Sequence, residues 1–338
     1  MKSKARFIEV EGEGGLYLPE AGWWLDVRRP KACGFVSHAH GDHVGRHERM
    51  ICSEGTAKLV VARFGVKASR LDVRGFGEEW EEGGFRFCLL PAGHVLGSAQ
   101  LFVERVADGS SLLYTGDFKT RGDPVAERVE WREADLLVME TTFGKPRYRM
   151  PTTEEAQAAI WQFVVETFAE GRTPLLLGYS LGKAQQIHAL LEGGMEEGVM
   201  LHDSVARMTR VYEEMGYQFP RWERFDETRA VGRVVIFPPT AMRSGVVKSL
   251  GKVRTAMVSG WGMDESARYR FGVDDVIPLS DHADYDGLMG YVEKVSPRRV
   301  LTVHGATREF AADLRRAGWE AWSIGGEDQV ELGVGSGE

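Results

Sequence analysis

The stretch SHAHGDH, residues 37–43, decides how the rest of the chain is read. It follows the apolar run CGFV, which predicts a strand, so its polar side chains emerge at a strand end where a site can open to solvent. His38 and His40 are two apart and project to the same side if the strand continues. Asp42 and His43 sit at the following turn and aim at a second point a few ångströms away. Three imidazoles and a carboxylate within six residues match the mixed nitrogen and oxygen donor sets of zinc, iron or manganese. The alternative is a coincidental polar loop. Histidine supplies only 9 of 338 residues, which disfavours it.

Such a cluster needs further ligands from elsewhere, and similar strand ends supply them. His94 follows CLLP, Asp117 follows LLYT, and His304 follows VLTV. Each alone reads more simply as a hydrogen-bonded structural residue; beside the first cluster, each becomes a candidate ligand.

Working outward, the first third is β-rich, with short runs such as GLYLPEAGWWLDV, FRFCLLPAGHV and AQLFVERV punctuated by Gly, Asp and Ser. From Thr153 the pattern turns helical, and Thr152 or Thr153 can cap the start. TPLLLGYS, GVMLHD, RVVIFPP and TAMVSGW then read as strands alternating with helices, which indicates a mainly parallel α/β sheet. A strand, helix, strand, helix, strand series closes the chain.

A length of 338 residues suits two domains, and 43% hydrophobic with 27% charged residues excludes a disordered tail or a disulfide-stapled miniprotein. No run is apolar enough to span a membrane, and the charged start MKSKAR lacks a signal-peptide core, so a cytoplasmic address is expected. Cys33, Cys52 and Cys88 show no C-x-x-C spacing, which disfavours a cysteine zinc site. There are 42 basic and 50 acidic residues, a net charge of −8. Two stretches nonetheless carry bases and no acid: 141–150, with Lys145, Arg147 and Arg149, and 241–255, with Arg243, Lys248, Lys252 and Arg254. Either is a solvated face or a phosphate contact.

The motifs together resemble the metallo-β-lactamase-fold nucleases of the β-CASP group, over most of the chain. The resemblance implies an αββα sandwich formed by residues 1–149 and 276–338, with an inserted β-CASP α/β domain at 150–275. It implies two divalent metal ions, Zn²⁺ or Mn²⁺. His38, His40 and His94 would hold one, Asp42, His43 and His304 the other, and Asp117 would bridge them. Asp26 in WWLDVRRP matches the aspartate that orients the metal loop. Glu140 in METTFG and His282 in LSDHADYDGL match the group's motifs A and B, and His304 is its motif C. His47, His188 and His202 remain as structural or surface residues.

The expected chemistry is phosphodiester hydrolysis: a metal-bridging hydroxide attacks phosphorus, with His282 as general acid oriented by Glu140, and Asp42 counts with these two as catalytic. Ser98, Ser180, Lys183, Arg243 and Ser244 lie in loops placed to hold phosphates. Within the group the chain is most similar to bacterial ligase-associated DNA exonucleases. That likeness implies a repair exonuclease acting from 5′ ends on single-stranded or end-bearing DNA, functionally linked to an ATP-dependent DNA ligase and a helicase. A histidine at motif C also occurs in RNA-cleaving members, so an RNA-processing nuclease is the alternative. A third reading takes GYSLG, residues 178–182, as a G-x-S-x-G elbow with Ser180 as nucleophile, Asp203 as acid and a later histidine as base. No oxyanion loop precedes it, and YSLGKAQQ also resembles a β-CASP strand–loop–helix.

Overall fold

The run GLYLPEAGWWLDV folds as two strands rather than one. Leu16–Leu18 (β1) turns back after Pro19, with the Ala21 and Gly22 amides donating to the Leu18 carbonyl, and Trp23–Leu25 (β2) pairs with it antiparallel. Each strand buries its alternate residues, so Leu16, Leu18, Trp23 and Leu25 share one face while Tyr17 lies opposite Trp24 on the other. Cys33–Phe35 (β3), Arg49–Cys52 (β4), Glu54–Phe64 (α1) and Leu71–Val73 (β5) follow. The sheet runs β1-β2-β3-β4-β5.

The structure is a computed structural model describing residues 7–193, 198–243, 245, 247 and 250–324. The chain divides into two compact units. The first comprises Met1–Gly122, Ala126–Arg149 and His282–Glu338; the second comprises Asp123–Val125 and Met150–Asp281.

In the first unit, Glu79–Glu82 (β6), Phe85–Pro91 (β7), Ala99–Arg105 (β8), Ser111–Tyr114 (β9) and Leu136–Thr141 (β10) begin a second sheet. In the second unit, Thr153–Ala169 (α2) starts at Thr152, whose hydroxyl accepts from the Glu155 amide while the Glu155 carboxylate accepts from the Thr152 amide. Thr173–Leu177 (β11), Lys183–Leu190 (α3), Val199–Leu201 (β12), Asp203–Glu214 (α4), Trp222–Arg224 (β13), Val234–Phe237 (β14), Val253–Val258 (β15), Ala267–Phe271 (α5) and Asp275–Ile277 (β16) complete it among the described residues. Its strands are all parallel, in the order β13-β12-β14-β11-β15-β16. Both faces are apolar: Leu176 packs with Ile160, Phe163 and Ile187, whereas Leu175 and Leu177 pack with Phe237 and Met257.

The chain then returns to the first unit with Tyr285–Val295 (α6), Arg299–Gly305 (β17), Thr307–Arg316 (α7) and Ala321–Ser323 (β18). β17 enters the second sheet beside β10, giving the order β18-β17-β10-β9-β8-β7-β6. One core lies between the two sheets, joining Trp23, Leu25, Phe35 and Ile51 to Phe87, Leu101, Leu112 and Val138. Trp23 and Phe87 stack there with centroids 4.0 Å apart. A second core packs Leu288, Tyr291, Phe310 and Leu314 of α6 and α7 on the far side, against Phe102, Leu113 and Met139. This is the αββα sandwich.

His188 on α3 sits in the second unit, fully buried and stacked on Phe219 at 5.0 Å. Its Nε2 contacts the Pro220 carbonyl at 3.1 Å and its Nδ1 has no partner. A second proton would therefore be buried without an acceptor, and burial pushes the imidazole down to about 4. The folded value lies below the unfolded one, so the unfolded chain binds more protons between about pH 6.5 and 4, and stability falls as pH falls through that window. Wild type should lose about 2 kcal/mol more than His188→Gln between pH 7 and 5. Urea midpoints at the two pH values measure it; equal losses would overturn it.

Candidate metal centre

β3 ends at Phe35, and the next backbone bonds turn residues 36–43 across the mouth of the sandwich. The Val36 amide donates to Ile51 and the Ala99 amide to the Ser37 carbonyl. Gly116, with φ of 54°, lets the loop in; a Cβ there would lie 2.6 Å from that of Ser37. His38, His40, His94 and Asp117 converge so that one donor atom from each lies within 4.8 Å of the others. His38 Nε2 and His94 Nε2 lie 3.0 and 3.1 Å from His40 Nδ1, and Asp117 lies 3.6 Å from His38 and 4.0 Å from His94. Ligands held tetrahedrally at about 2.0–2.1 Å from zinc stand about 3.3 Å apart. The donor spacing fits such an ion.

The other predicted ligands lie beside this group. His43 Nε2 is 3.3 Å from Asp117 and 3.7 Å from Asp42, whose side chain is largely exposed. The His304 ring stands 5.9 Å from that of His43. Backbone strain marks this neighbourhood: His304 and Asp26 adopt φ of 55° and 49°, left-handed values that cost a non-glycine residue about 1–3 kcal/mol. Thr141 donates to the His304 carbonyl at 2.6 Å, and Gly305 passes so close to Thr141 and Thr142 that a Cβ would lie 2.4 Å from the Thr141 carbonyl oxygen. β17 is thus locked to β10 where its histidine leaves.

At the four-donor group the electrostatics suit a cation. Burial, helped by His43 and His40, holds His38 well below the ordinary imidazole range, leaving it a lone-pair donor. His43 moves the opposite way: burial opposes its charge, but the Asp117 and Asp26 carboxylates outweigh it. Burial likewise opposes the charge on Asp117, yet His43 and His38 hold its carboxyl well below the usual range.

Asp26 serves the loop from beneath. Its carboxylate accepts from the Ser37 amide at 2.7 Å, the Ser37 hydroxyl at 2.6 Å and the Tyr114 hydroxyl at 2.8 Å, and faces His43 Nδ1 at 3.1 Å. Arg63, in the last turn of α1, donates to the carbonyl of Ala39 between the two histidines, and Arg70 donates to the carbonyls of Arg46 and His47. Tyr114, Arg63 and Arg70 escape sequence reading because nothing in their neighbourhoods marks them; only the fold brings them under the loop.

Glu140, at the end of β10, accepts from the Thr142 amide at 2.8 Å and contacts His282 Nδ1 at 2.9 Å. Glu140 is buried and His282 partly exposed. The two come within 4.8 Å of Asp117, and the His282 ring is 4.5 Å from that of His94.

Several predicted phosphate contacts are buried. Ser98 is fully buried, its hydroxyl accepting from the His94 and Val95 amides, so it shapes the ligand turn. Lys183 is buried in the second unit, donating to the Leu279 carbonyl and Gln186, with Asp281 at 3.5 Å. Burying a lysine demands such partners, which occupy its ammonium. Ser180 is 4% exposed. The side chain of Arg243, and Ser244 and Lys248 entirely, lie outside the described residues. The basic stretches are also quieter than their sequence implies. Glu309 meets Lys145 at 3.0 Å, Asp286 meets Arg149 at 2.9 Å, and Arg254 is held by Glu166, Glu170 and Asp275. Arg254 is therefore the centre of a structural ion-pair cluster.

The serine reading fares poorly. Asp203 opens α4 with an exposed side chain and lies 3.8 Å from Arg224, far from the buried acid a triad requires. Ser180→Ala is expected to keep full activity, and its abolition would restore that reading. Of the remaining histidines, His47 accepts from the Lys31 amide in the core and His202 caps α4 by accepting from the Ser204 amide.

Buried imidazoles and carboxylates meeting at the strand ends of an αββα sandwich define a metallo-hydrolase. Residues 267–323 match the family described as Zn-dependent metallo-hydrolase RNA specificity domain. A probable DNA ligase of Opitutus terrae is 47% identical over 97% of this chain. An RNase J-like protein of Methanocaldococcus jannaschii is 23% identical, covering 88% of this chain and 89% of its own. The DNA cross-link repair 1A protein of Gallus gallus is 31% identical over 86% of this chain. The chain spans about a third, 32%, of the Opitutus and Gallus proteins. A solved Enterococcus faecalis protein of unknown function shares the fold, with a TM-score of 0.59 at 14% identity, over 87% of this chain and 79% of its own. The chain is a homologue of β-CASP nucleases of the metallo-β-lactamase fold and carries a Zn-dependent metallo-hydrolase domain match at 267–323.

Proposed function

We propose that this protein hydrolyses phosphodiester bonds in DNA, trimming ends from the 5′ side during repair, with two divalent cations at the cluster. The observation that carries the reading is the Glu140–His282 pair beside the clustered ligands, because a metal shell alone does not call for a further histidine backed by a buried carboxylate. His38, His40, His94 and Asp117 would hold one ion, and Asp42, His43 and His304, with Asp117 shared, the other. Bound there, Zn²⁺ or Mn²⁺ would supply a water of lowered pKa and neutralise phosphate charge.

The chain's own residues do the rest. Glu140 fixes the His282 ring through Nδ1, which leaves Nε2 to hand a proton to the departing oxygen. Asp26 fixes the loop, and Ser98 fixes the His94 turn. The strong likeness to a protein named as a probable DNA ligase supports work alongside strand sealing, with an ATP-dependent ligase and a helicase as functional partners. One observation favours a second reading, an RNA-processing nuclease: the match at 267–323 is to a domain named for RNA specificity.

Matched single-stranded DNA and RNA, labelled at either end, test both readings after chelation and add-back of Zn²⁺ or Mn²⁺. Metal-dependent mononucleotide release from the DNA 5′ end is expected. Cleavage of RNA alone would install the second reading, and cleavage of neither would overturn both.

A further inference from the structure

We infer that Ser37 and Tyr114 are positioning residues which, through Asp26, set the proton-bearing nitrogen of one histidine in each half of the metal centre. The inference rests on the dinuclear reading above, and no comparison assigns a role to either residue.

All three side chains are buried, Ser37 and Tyr114 to 0% and 1% exposure. Proton accounting then leaves little freedom. Tyr114 can only donate to the Asp26 carboxylate, at 2.8 Å. The Ser37 hydroxyl owns one proton, and its 2.6 Å contact to the same carboxylate oxygen uses it. Its remaining contact, His38 Nδ1 at 2.9 Å, must therefore bring the proton from the ring. His38 then carries hydrogen on Nδ1 and turns a bare Nε2 toward His40 and Asp117. On the other side, His43 Nδ1 lies 3.1 Å from the same Asp26 oxygen, an electrostatic contact outside hydrogen-bond geometry, and its Nε2 lies 3.3 Å from Asp117. One oxygen atom thus collects Ser37, Tyr114 and His43, while Ser37 extends the chain to His38. A carboxylate or hydroxyl behind a ligand imidazole fixes its tautomer and raises its basicity. Here one node does so for two ligands that serve different ions.

A purely packing role would predict something else. Ser37 fills space against Gly116, and Tyr114 packs edge-on against Phe35 at 6.2 Å, so removing either hydroxyl would lower stability without touching metal affinity or tautomers.

The test uses the full chain as Ser37→Ala and Tyr114→Phe. Zn²⁺ affinity is read by competition with a chromogenic chelator, and the histidine tautomers by ¹⁵N imidazole shifts. Ser37→Ala should weaken Zn²⁺ binding by about 10–100-fold and release the fixed Nδ1–H form of His38. Tyr114→Phe should weaken it by about 10-fold at the low end of that range. Wild-type affinity and tautomers in both variants, whatever their melting temperatures, would overturn the inference. Should Ser37→Ala not fold, Tyr114→Phe decides alone. A wild type that binds Zn²⁺ yet cuts no nucleic acid would sink the proposed function and leave this inference standing.

Discussion

His282→Ala is expected to lower turnover by about 10²–10⁴-fold while the protein keeps its full complement of metal. The separation of the two readouts follows from geometry. His282 is oriented by Glu140 at 2.9 Å, and the tight four-residue donor group forms without it. Loss of a general acid raises the barrier by about 3–5 kcal/mol, because the departing alkoxide must then take its proton from water. Substrates with a good leaving group, such as a p-nitrophenyl phosphodiester, should be much less affected. Glu140→Gln should lie between His282→Ala and wild type, since the amide still accepts from Nδ1 but carries no charge. If His282→Ala loses metal in step with rate, its role is that of a ligand. If it loses neither, another group supplies the proton.

Asp117→Ala should have the larger effect, abolishing turnover and releasing metal together. Asp117 is 8% exposed and faces His38, His43 and His94 at 3.6, 3.3 and 4.0 Å. Among the described residues it is the one carboxylate placed against both predicted ligand sets. Its removal takes a negative charge from among buried imidazoles, and breaking a buried charge cluster costs about 3–5 kcal/mol. His40→Ala, losing a nitrogen 3.0–3.1 Å from two others, should follow the same pattern. Metal content by elemental analysis after exhaustive dialysis checks both variants; retention of two ions by Asp117→Ala would overturn its shared-ligand role.

Local chemistry made part of this legible in the sequence. SHAHGDH is dense enough to stand out, and His94, Asp117 and His304 each follow an apolar strand, which is a pattern visible along the chain. The parallel α/β order of the second unit is likewise written in its alternating strand and helix runs. What escaped was much of what partners distant in sequence decide. Lys145 and Arg149 read as a free basic patch because Glu309 and Asp286 lie more than a hundred residues away. Ser98 read as a phosphate contact because its polar atom is obvious and its burial is not. Tyr114 read as one more apolar strand residue, since its hydroxyl matters only once Asp26 is folded beneath it. Lys183 sits in a loop-to-helix junction that invites phosphate, yet the fold closes the Leu279 carbonyl over it.

The pairing of β10 with β17 has a consequence for how this architecture diversifies. Leu136–Glu140 pair in parallel with Arg299–Val303, so strands from before and after the inserted unit are hydrogen-bonded neighbours in one sheet. Because the backbone fixes that seam, whatever is spliced between its two sides can lengthen, shrink or be exchanged at small entropic penalty. His38, His40, His94 and Asp117 all belong to the first unit, so a change of length in the inserted unit leaves the ladder that frames the donor group intact.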